Sequence, residues 1–103
     1  MTQFTVYRNP GRNPEVPFVV LIQSSRLAEA SSRLVMALTS RRGRAPPDHP
    51  LTPHMMVQGQ PVYANPFNVA TVPSVMLTTP LEVLADADQD KIIQALDELV
   101  SRA

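Results

Sequence analysis

The stretch that decides the fold is FVVLIQ, residues 18–23, an unbroken run of apolar residues that ends in a glutamine. The polar connection SSRLAEASS, residues 24–32, separates it from RLVMALTS, residues 33–40, a second run of the same kind. A continuous apolar run of this length is typical of a strand that is buried on both faces. The two runs therefore predict two strands. In the second, the alternation places Leu34, Met36 and Leu38 on one face and Val35 and Ala37 on the other.

The segments on either side of this pair are a further strand and two loops. In QFTVYR, residues 3–8, Phe4 and Val6 alternate with Thr5 and Tyr7, which predicts a strand. NPGRNPEVP, residues 9–17, is a turn-rich loop. RRGRAPPDHPLTPH, residues 41–54, contains four prolines. It can be neither a helix nor a central strand, so its length indicates an excursion from the main sheet.

The remaining β segments lie after the proline-rich loop. MMVQGQPVYA, residues 55–64, predicts a hairpin in which Gly59 is free to adopt a positive φ. NPFNVATVPSVMLTT, residues 65–79, predicts strands interrupted at Pro73. Short strands followed by one terminal helix predict a small antiparallel barrel or sheet with a helix packed on it.

The clear helix is DADQDKIIQALDELVSRA, residues 86–103. Its apolar residues follow the spacing of one helical face, which predicts that they point inward. They are Ile92, Ile93, Leu96, Leu99 and Val100. Asp86 and Gln89 have the spacing of a capping box at the start of this helix.

The composition describes an ordinary small domain. At 103 residues and 44% hydrophobic content, the chain fits one domain, residues 1–103, with a modest core. It contains no cysteine, which excludes disulfides and thiolate metal sites. No secretion signal and no apolar run of about 20 residues is present, so we expect a soluble, cytoplasmic protein that is not bound to a membrane.

Charge is distributed unevenly along a chain whose net charge is zero. Residues 1–44 contain seven arginines and two glutamates, and residues 45–103 contain two basic and seven acidic residues. One interpretation is a basic face for an acidic partner or nucleic acid. The other is that the two halves fold together and partly neutralise each other.

Candidates for chemistry are few. His49 and His54 flank part of the proline-rich loop together with Asp48, but their spacing defines no third metal ligand, so solvated loop histidines are the simpler interpretation. The acidic residues at the start of the helix lack the rest of a calcium loop, and capping explains them better. No glycine-rich phosphate loop or nucleophile elbow is present. We therefore expect no metal, no cofactor and no catalytic residues, and hence a protein that is not an enzyme.

A cluster of arginines, Arg41, Arg42 and Arg44, opens the proline-rich loop. Three guanidinium groups at this point could contact phosphates or carboxylates. No aromatic residue is interleaved with them, which argues against a stacking platform for single strands and against direct sequence-specific nucleic acid binding. A solvated loop and a contact for an acidic protein partner are the alternatives that remain.

The order of these segments resembles the CcdB-type toxins of bacterial addiction modules. The most specific part is LTPHMMVQGQPVYANPFNVATVPSVML, residues 51–77. Shorter matches are QFTVY at the start, PFVVLIQS at 17–24, RLVMAL at 33–38 and DKIIQALDELV at 90–100. The resemblance covers nearly the full length, and only the loops at 9–16 and 39–50 match poorly.

The resemblance implies a fold and a mode of action. It implies a mainly β (α+β) fold: a small SH3-like antiparallel barrel with a small second sheet and one C-terminal α-helix. Members of the family are homodimers that bind the A subunit of DNA gyrase and trap the cleaved gyrase–DNA complex. A cognate antitoxin neutralises them. The resemblance thus implies a toxin that acts through protein contacts.

The resemblance also implies where the contacts lie. The gyrase-facing positions of the family correspond here to Arg26, Leu27, Asp97, Val100, Ser101, Arg102 and Ala103. The last three stand where the family typically has Trp-Gly-Ile, so polar or small groups replace an apolar contact. For the antitoxin, charge alone suggests Arg41, Arg42 and Arg44 as contacts for an acidic tail.

Two other functions compete with gyrase inhibition. MazF-type ribonuclease toxins share this barrel and typically open with a strand that supplies a catalytic arginine, for which Arg8 and Arg12 are the candidates here. A non-toxic protein that keeps the fold and binds antitoxin is the other. Met55, Met56 and Met76 could either close the core or lie between two subunits.

Overall fold

The computed structural model describes residues 2–27 and 30–100. Within them, six strands form one antiparallel sheet in the order β4-β5-β3-β2-β1-β6. The strands are β1 Thr5–Arg8, β2 Phe18–Leu21, β3 Ser32–Ser40, β4 His54–Val57, β5 Gln60–Pro73 and β6 Pro80–Val83. Single-turn 3₁₀ helices follow β2 (Ser25–Leu27) and β5 (Ser74–Met76), and the helix α1 is Asp86–Val100. The prediction of a mainly β fold with one C-terminal helix is confirmed.

The apolar runs of the sequence form the middle of the sheet. β2 pairs with β3, with Phe18 opposite Leu38 and Leu21 opposite Val35. All four residues of β2 are buried, as an unbroken apolar run predicts. On β3, Met36 and Leu38 face one core cluster and Val35 faces another, so the predicted alternation is confirmed.

The long strand β5 incorporates the excursion into the main sheet. It spans 14 residues and pairs with both β4 and β3. The register shifts opposite Met36 and Ala37, where β5 carries extra residues between Asn65 and Val69. A bulge bends a strand without ending it. For that reason β4 and the first half of β5 continue the sheet, whereas the resemblance implied a separate second sheet. β5 ends at Pro73, where a break was predicted.

The β4–β5 turn and the edge strand β6 approach each other across the open side of the sheet. The turn has positive φ at Gln58 (52°) and Gly59 (73°), as a two-residue type I′ hairpin requires. The backbone N–H and the side-chain Nε2 of Gln58 donate to Glu82 Oε1 at 2.9 and 3.1 Å. The sheet is therefore curled into a half-barrel whose two edges are linked by side chains. Strand β6 was missed from the sequence because PLEV has only four residues and begins with proline.

Apolar side chains pack on both faces of the sheet. The larger cluster lies between one face and α1, and contains Phe4, Val6, Phe18, Val20, Met36, Leu38, Met55, Val57, Val62, Ala64, Leu84 and Ile92. The smaller cluster lies on the opposite face and contains Tyr7, Val19, Leu21, Val35 and Leu77. Leu77 belongs to the segment that leads from β5 at one side of the sheet to β6 at the far edge.

Helix α1 packs on the sheet through a narrow stripe. Ile92 and Ala95 are fully buried and Leu96 is half-buried. The expectation that the other apolar positions point inward is wrong: Ile93, Leu99 and Val100 remain 46, 39 and 74% exposed. A single helix touches one sheet along one line, so the flanks of its apolar face stay outside.

The start of α1 also differs from the predicted capping box. Gln89 Nε2 donates to the carbonyl of Leu84 at 2.8 Å, before the helix begins. The amides of Asp88 and Gln89 donate to the carbonyl of Ala85. The described part of the chain contains no helix with the length and apolar character that a membrane crossing demands.

Candidate functional site

The first predicted target contact lies on the 3₁₀ helix after β2. Arg26 and Leu27 are both exposed there, Leu27 by 56%. The turn is supported by Gln23, whose Nε2 donates to the carbonyl of Leu27 at 3.0 Å, and by Ser24, whose hydroxyl accepts from the Arg26 amide at 3.2 Å. Both side chains are thus presented to solvent from a hydrogen-bonded turn.

The second predicted contact lies near the end of α1. Asp97 and Val100 are exposed, and Ile93 lies two helical turns before Val100. Ile93, the half-buried Leu96 and Val100 follow the i, i+3, i+7 spacing of one stripe. No hydrogen bond or ion pair among residues 2–27 and 30–100 joins this end of α1 to Arg26 and Leu27. The remaining target candidates, Ser101, Arg102 and Ala103, lie outside the described residues.

The arginine cluster divides into two kinds of side chain. Arg41 is half-buried: its NH1 group contacts His54 Nδ1 at 2.9 Å and its NH2 group donates to Met56 Sδ at 3.7 Å. Arg42 and Arg44 are exposed on either side of Gly43, which has a φ of 82°. Arg41 therefore anchors the loop to β4, and only Arg42 and Arg44 are presented to a partner.

His54 is the centre of the hydrogen bonds that hold the proline-rich loop. Its Nε2 lies 2.8 Å from the carbonyl of Pro46, which can only accept, so Nε2 carries the proton and Nδ1 accepts from Arg41. Lys91 of α1 donates to the carbonyl of His54 at 3.1 Å. Both ring nitrogens are occupied, which leaves His54 no lone pair for a metal. The described residues contain no group of three or more side chains suited to a metal ion.

Asp48 completes this arrangement. Its Oδ1 accepts the backbone N–H of His54 at 3.0 Å. That hydrogen bond, together with the positive charges nearby, holds the pKa of Asp48 below its ordinary value. The DHPLTPH segment thus folds back on itself, which gives His54 and Asp48 a structural role.

Sequence reasoning missed two adjoining pockets on the sheet face opposite α1. The first, the amide pocket, has a volume of about 210 Å³. Its floor is aliphatic, and three asparagines reach it from the β1–β2 loop and the bulge of β5. The lining residues are Asn9, Pro10, Asn13, Val16, Val19, Val35, Ala37, Asn68, Ala70 and Val72.

The second, the hydroxyl pocket, has a volume of about 290 Å³ and shares Asn9 and Pro10 with the first. It is also lined by Tyr7, Arg8, Met76, Thr78, Thr79 and Leu81. Burial raises the pKa of Tyr7 above its ordinary value, and the charge of Arg33 opposes this effect. The alternation along β1 indicated that Tyr7 lies on the other face of the sheet from Phe4 and Val6. The polar rim of the pocket on that face depends on β6, which was not predicted.

Comparison with known proteins places the fold. No curated protein matches the sequence at a significant level. Among solved structures, an endoribonuclease in complex with its cognate antitoxin from Mycobacterial species is similar, with a TM-score of 0.79 and 19% sequence identity. The similarity covers 100% of this chain and 97% of that one.

This structural similarity corrects one expectation. The chain was expected not to be an enzyme, because neither a catalytic motif nor the resemblance suggested one. A solved structure that shares this fold over the full length of the chain is described as an endoribonuclease, so the expectation that rested on the absence of catalytic motifs is wrong.

The family is shown by the sequence itself. The family model described as CcdB protein matches residues 3–101, nearly the complete chain. The match includes every strand and the helix on which the target candidates were predicted. This protein therefore belongs to the CcdB family of toxin–antitoxin toxins.

Proposed function

We propose that this protein is a toxin that binds the A subunit of DNA gyrase and traps the cleaved gyrase–DNA complex. The observation that carries the proposal is the apolar stripe at the end of α1, in which Ile93 and Val100 are exposed and Leu96 between them is half-buried. Val100 is 74% exposed although it belongs to the apolar face of the helix. Apolar side chains that a monomer leaves outside its core often mark a protein contact.

The contact surface combines this stripe with charged groups. Asp97 lies beside it on α1, and Arg26 and Leu27 add a basic and an apolar side chain from the 3₁₀ helix. The other proposed contacts are Ser101, Arg102 and Ala103, which follow Val100 in the sequence. Because this set holds no tryptophan, we expect a weaker contact than one anchored by an aromatic residue.

Titration against purified gyrase A subunit, followed by calorimetry, tests the proposal. Val100→Asp should weaken binding by about 2 kcal/mol, roughly 30-fold, because it places a charge in an apolar contact. Glu98→Ala, on another side of the same helix, is the matched control and should bind like the original protein. Deletion of residues 101–103 measures how much these three residues contribute to the binding free energy.

The outcome that counts against gyrase is equally clear. If the intact chain fails to bind the A subunit, or if Val100→Asp binds as well as the original, the stripe is not the contact. Gyrase-dependent DNA breaks in cells that express the protein provide the second readout, and growth arrest without breaks would point to another target.

We further propose neutralisation by a cognate antitoxin through its acidic, disordered tail. Arg42 and Arg44 are the exposed cations of the proline-rich loop, and the described residues supply no carboxylate paired with them. Replacing both with glutamine should weaken antitoxin binding and lessen its salt dependence. Arg41→Gln should instead loosen the loop, because Arg41 is bonded to His54.

A homodimer is also proposed. Met55 is 4% exposed and closes the core of its own subunit, whereas Met56 and Met76 are 57 and 50% exposed. Only the latter two are therefore available to a subunit interface. Analytical ultracentrifugation should show a dimer, and Met56→Glu should shift it toward monomer if Met56 lies between subunits.

Ribonuclease activity is a second candidate function. It is favoured by the full-length structural similarity to an endoribonuclease and by the position of Arg8 in the hydroxyl pocket beside Tyr7 and two threonines. Purified protein should then cleave RNA, and Arg8→Gln should abolish cleavage. Arg12 lies on the exposed β1–β2 loop, so its replacement should have the smaller effect. Intact RNA after incubation with active toxin would exclude this candidate.

A further inference from the structure

The sheet face opposite α1 carries two neighbouring pockets with different chemistry. The amide pocket has an aliphatic floor of Val19, Val35 and Val72 beneath asparagine side chains. The hydroxyl pocket combines the Arg8 guanidinium with Thr78 and Thr79. Asn9 and Pro10 form the wall between them, so a ligand that occupies both pockets must cross this ridge.

We propose that this face binds a single-stranded oligonucleotide, with a base in the amide pocket and the adjoining phosphate in the hydroxyl pocket. The proposal deepens the second candidate function, because it names the surface on which RNA would lie. It concerns binding and not the cleavage step, so the two can fail separately.

The amide pocket fits a base by size and by polarity. Its volume of about 210 Å³ is below the 300–1,000 Å³ of pockets for whole drug-sized ligands, so it admits a fragment such as one ring system. A base has an apolar face and a polar edge. The aliphatic floor suits the face, and amide groups, which both donate and accept, suit the edge.

The three asparagines of the amide pocket differ in whether their side chains are free to form hydrogen bonds with a ligand. The Asn9 side chain is used within its loop: Nδ2 donates to the carbonyl of Val16 at 2.9 Å and Oδ1 accepts from the Gly11 amide at 2.9 Å. Asn13 Oδ1 accepts from the Glu15 amide at 3.0 Å. In the part of the chain that the structure describes, the Asn68 side chain has no hydrogen-bond partner and is exposed. Asn68 is therefore the amide that can read a base.

The hydroxyl pocket fits a phosphate by charge. Arg8 is exposed, and the residues described here offer its guanidinium neither a hydrogen bond nor an ion pair. No lining residue of either pocket is acidic. The carboxylate on β6, Glu82, is bonded to Gln58 of the opposite edge. An anion in this pocket would thus meet a guanidinium and two hydroxyl groups.

Fluorescence anisotropy with a labelled oligonucleotide of about ten nucleotides tests the proposal. RNA and DNA of one sequence are the two arms, and the arm that binds more tightly identifies the source of the ligand. Asn68→Ala should weaken binding about tenfold without changing its salt dependence. Arg8→Gln should weaken binding and reduce the slope of log K against log salt by about 0.7, the release expected for one phosphate contact on a single strand.

Gln94→Ala is the matched control for Asn68→Ala, because it removes an exposed amide from α1, outside the two pockets. It should bind as the original does. Arg8→Lys keeps a positive charge in the hydroxyl pocket, so it should retain the salt dependence that Arg8→Gln loses. Circular dichroism should be the same for all four variants.

Three results would overturn the inference. These are absence of binding to either oligonucleotide, equal losses in the pocket and control variants, and binding of an acidic peptide, in place of the oligonucleotides, with the same dependence on Arg8 and Asn68. Binding without cleavage would support the inference while ruling out the ribonuclease. Cleavage that survives Asn68→Ala and Arg8→Gln is a fourth result that would overturn the inference, and it would leave a ribonuclease whose activity does not depend on Arg8.

Discussion

Ile92 and Ile93 are neighbours on α1 that the sequence assigns to one inward face, and the structure separates them. Ile92 is 0% exposed and belongs to the main core cluster, whereas Ile93 is 46% exposed. Ile92→Ala and Ile93→Ala are therefore the same chemical change in two environments. Any difference between them measures how α1 packs.

The expected magnitudes follow from burial. Removing a fully buried isoleucine side chain beyond Cβ costs about 2–5 kcal/mol, and the absence of any exposure places Ile92→Ala at about 3 or more. Ile93 has about half of its surface buried, which gives a loss of about 1 kcal/mol. The better helix propensity of alanine offsets a few tenths of that. A chain of 103 residues has a total stability of about 5–15 kcal/mol, so Ile92→Ala should remove a substantial part of it.

Urea denaturation followed by circular dichroism measures both changes. With an m-value of about 1.5 kcal/mol/M, Ile92→Ala should lower the midpoint by about 2 M and Ile93→Ala by less than 0.5 M. Each variant is measured at two protein concentrations about 50-fold apart, because a dimer that covers Ile93 would make its midpoint depend on concentration. A concentration-independent loss at Ile93 equal to that at Ile92 would refute the packing described here.

The remaining predictions concern the β4–β5 turn, the hydrogen bonds between Gln58 and Glu82, and the proline-rich loop. Gly59→Ala should cost about 1 kcal/mol, because φ at Gly59 is 73° and the added Cβ meets no atom within 4 Å. Thermal melts measure the loss, and an unchanged melting temperature would contradict it. Glu82→Ala removes the acceptor of both Gln58 hydrogen bonds, so amide exchange at Gln58 should accelerate, whereas Glu98→Ala on α1 should leave it unchanged. The pKa of Asp48 is lower in the folded protein than its ordinary value, so its contribution is present above the unfolded pKa and is lost as pH falls through the folded one. Stability measured from pH 6 down to about 3 should therefore fall less steeply in Asp48→Asn, and an unchanged slope would show that Asp48 is not held by the His54 amide.

Local patterns predicted most of the fold because they act over a few residues. The apolar run of β2, the alternation of β3 and the glycine of the β4–β5 turn each have one favourable local structure. The same holds for the prolines that keep residues 41–53 out of regular elements. The family resemblance added the order of these pieces, and the family match over residues 3–101 confirmed it.

The candidate site was harder to predict from the sequence, because the solvent exposure of a side chain depends on tertiary packing. Arg41, Arg42 and Arg44 are equivalent in sequence, yet Arg41 is held by His54 while the other two face solvent. His49, His54 and Asp48 resemble a ligand set, and only the backbone carbonyl of Pro46 and the guanidinium of Arg41 show that the ring of His54 is already used.

By itself, the sequence determined the strands other than β6 and the terminal helix, because hydrophobic periodicity and turn chemistry are local, and the order of these segments indicated the family. Tertiary structure alone decided which flank of α1 stays exposed, how Glu82 links the sheet edges, and how Asn68, Arg8 and Thr78 come to line adjoining pockets. The physical reason is that these residues lie on separate strands and loops. Their positions follow from strand order and from the bulge in β5, which are settled by pairing between segments far apart in the chain.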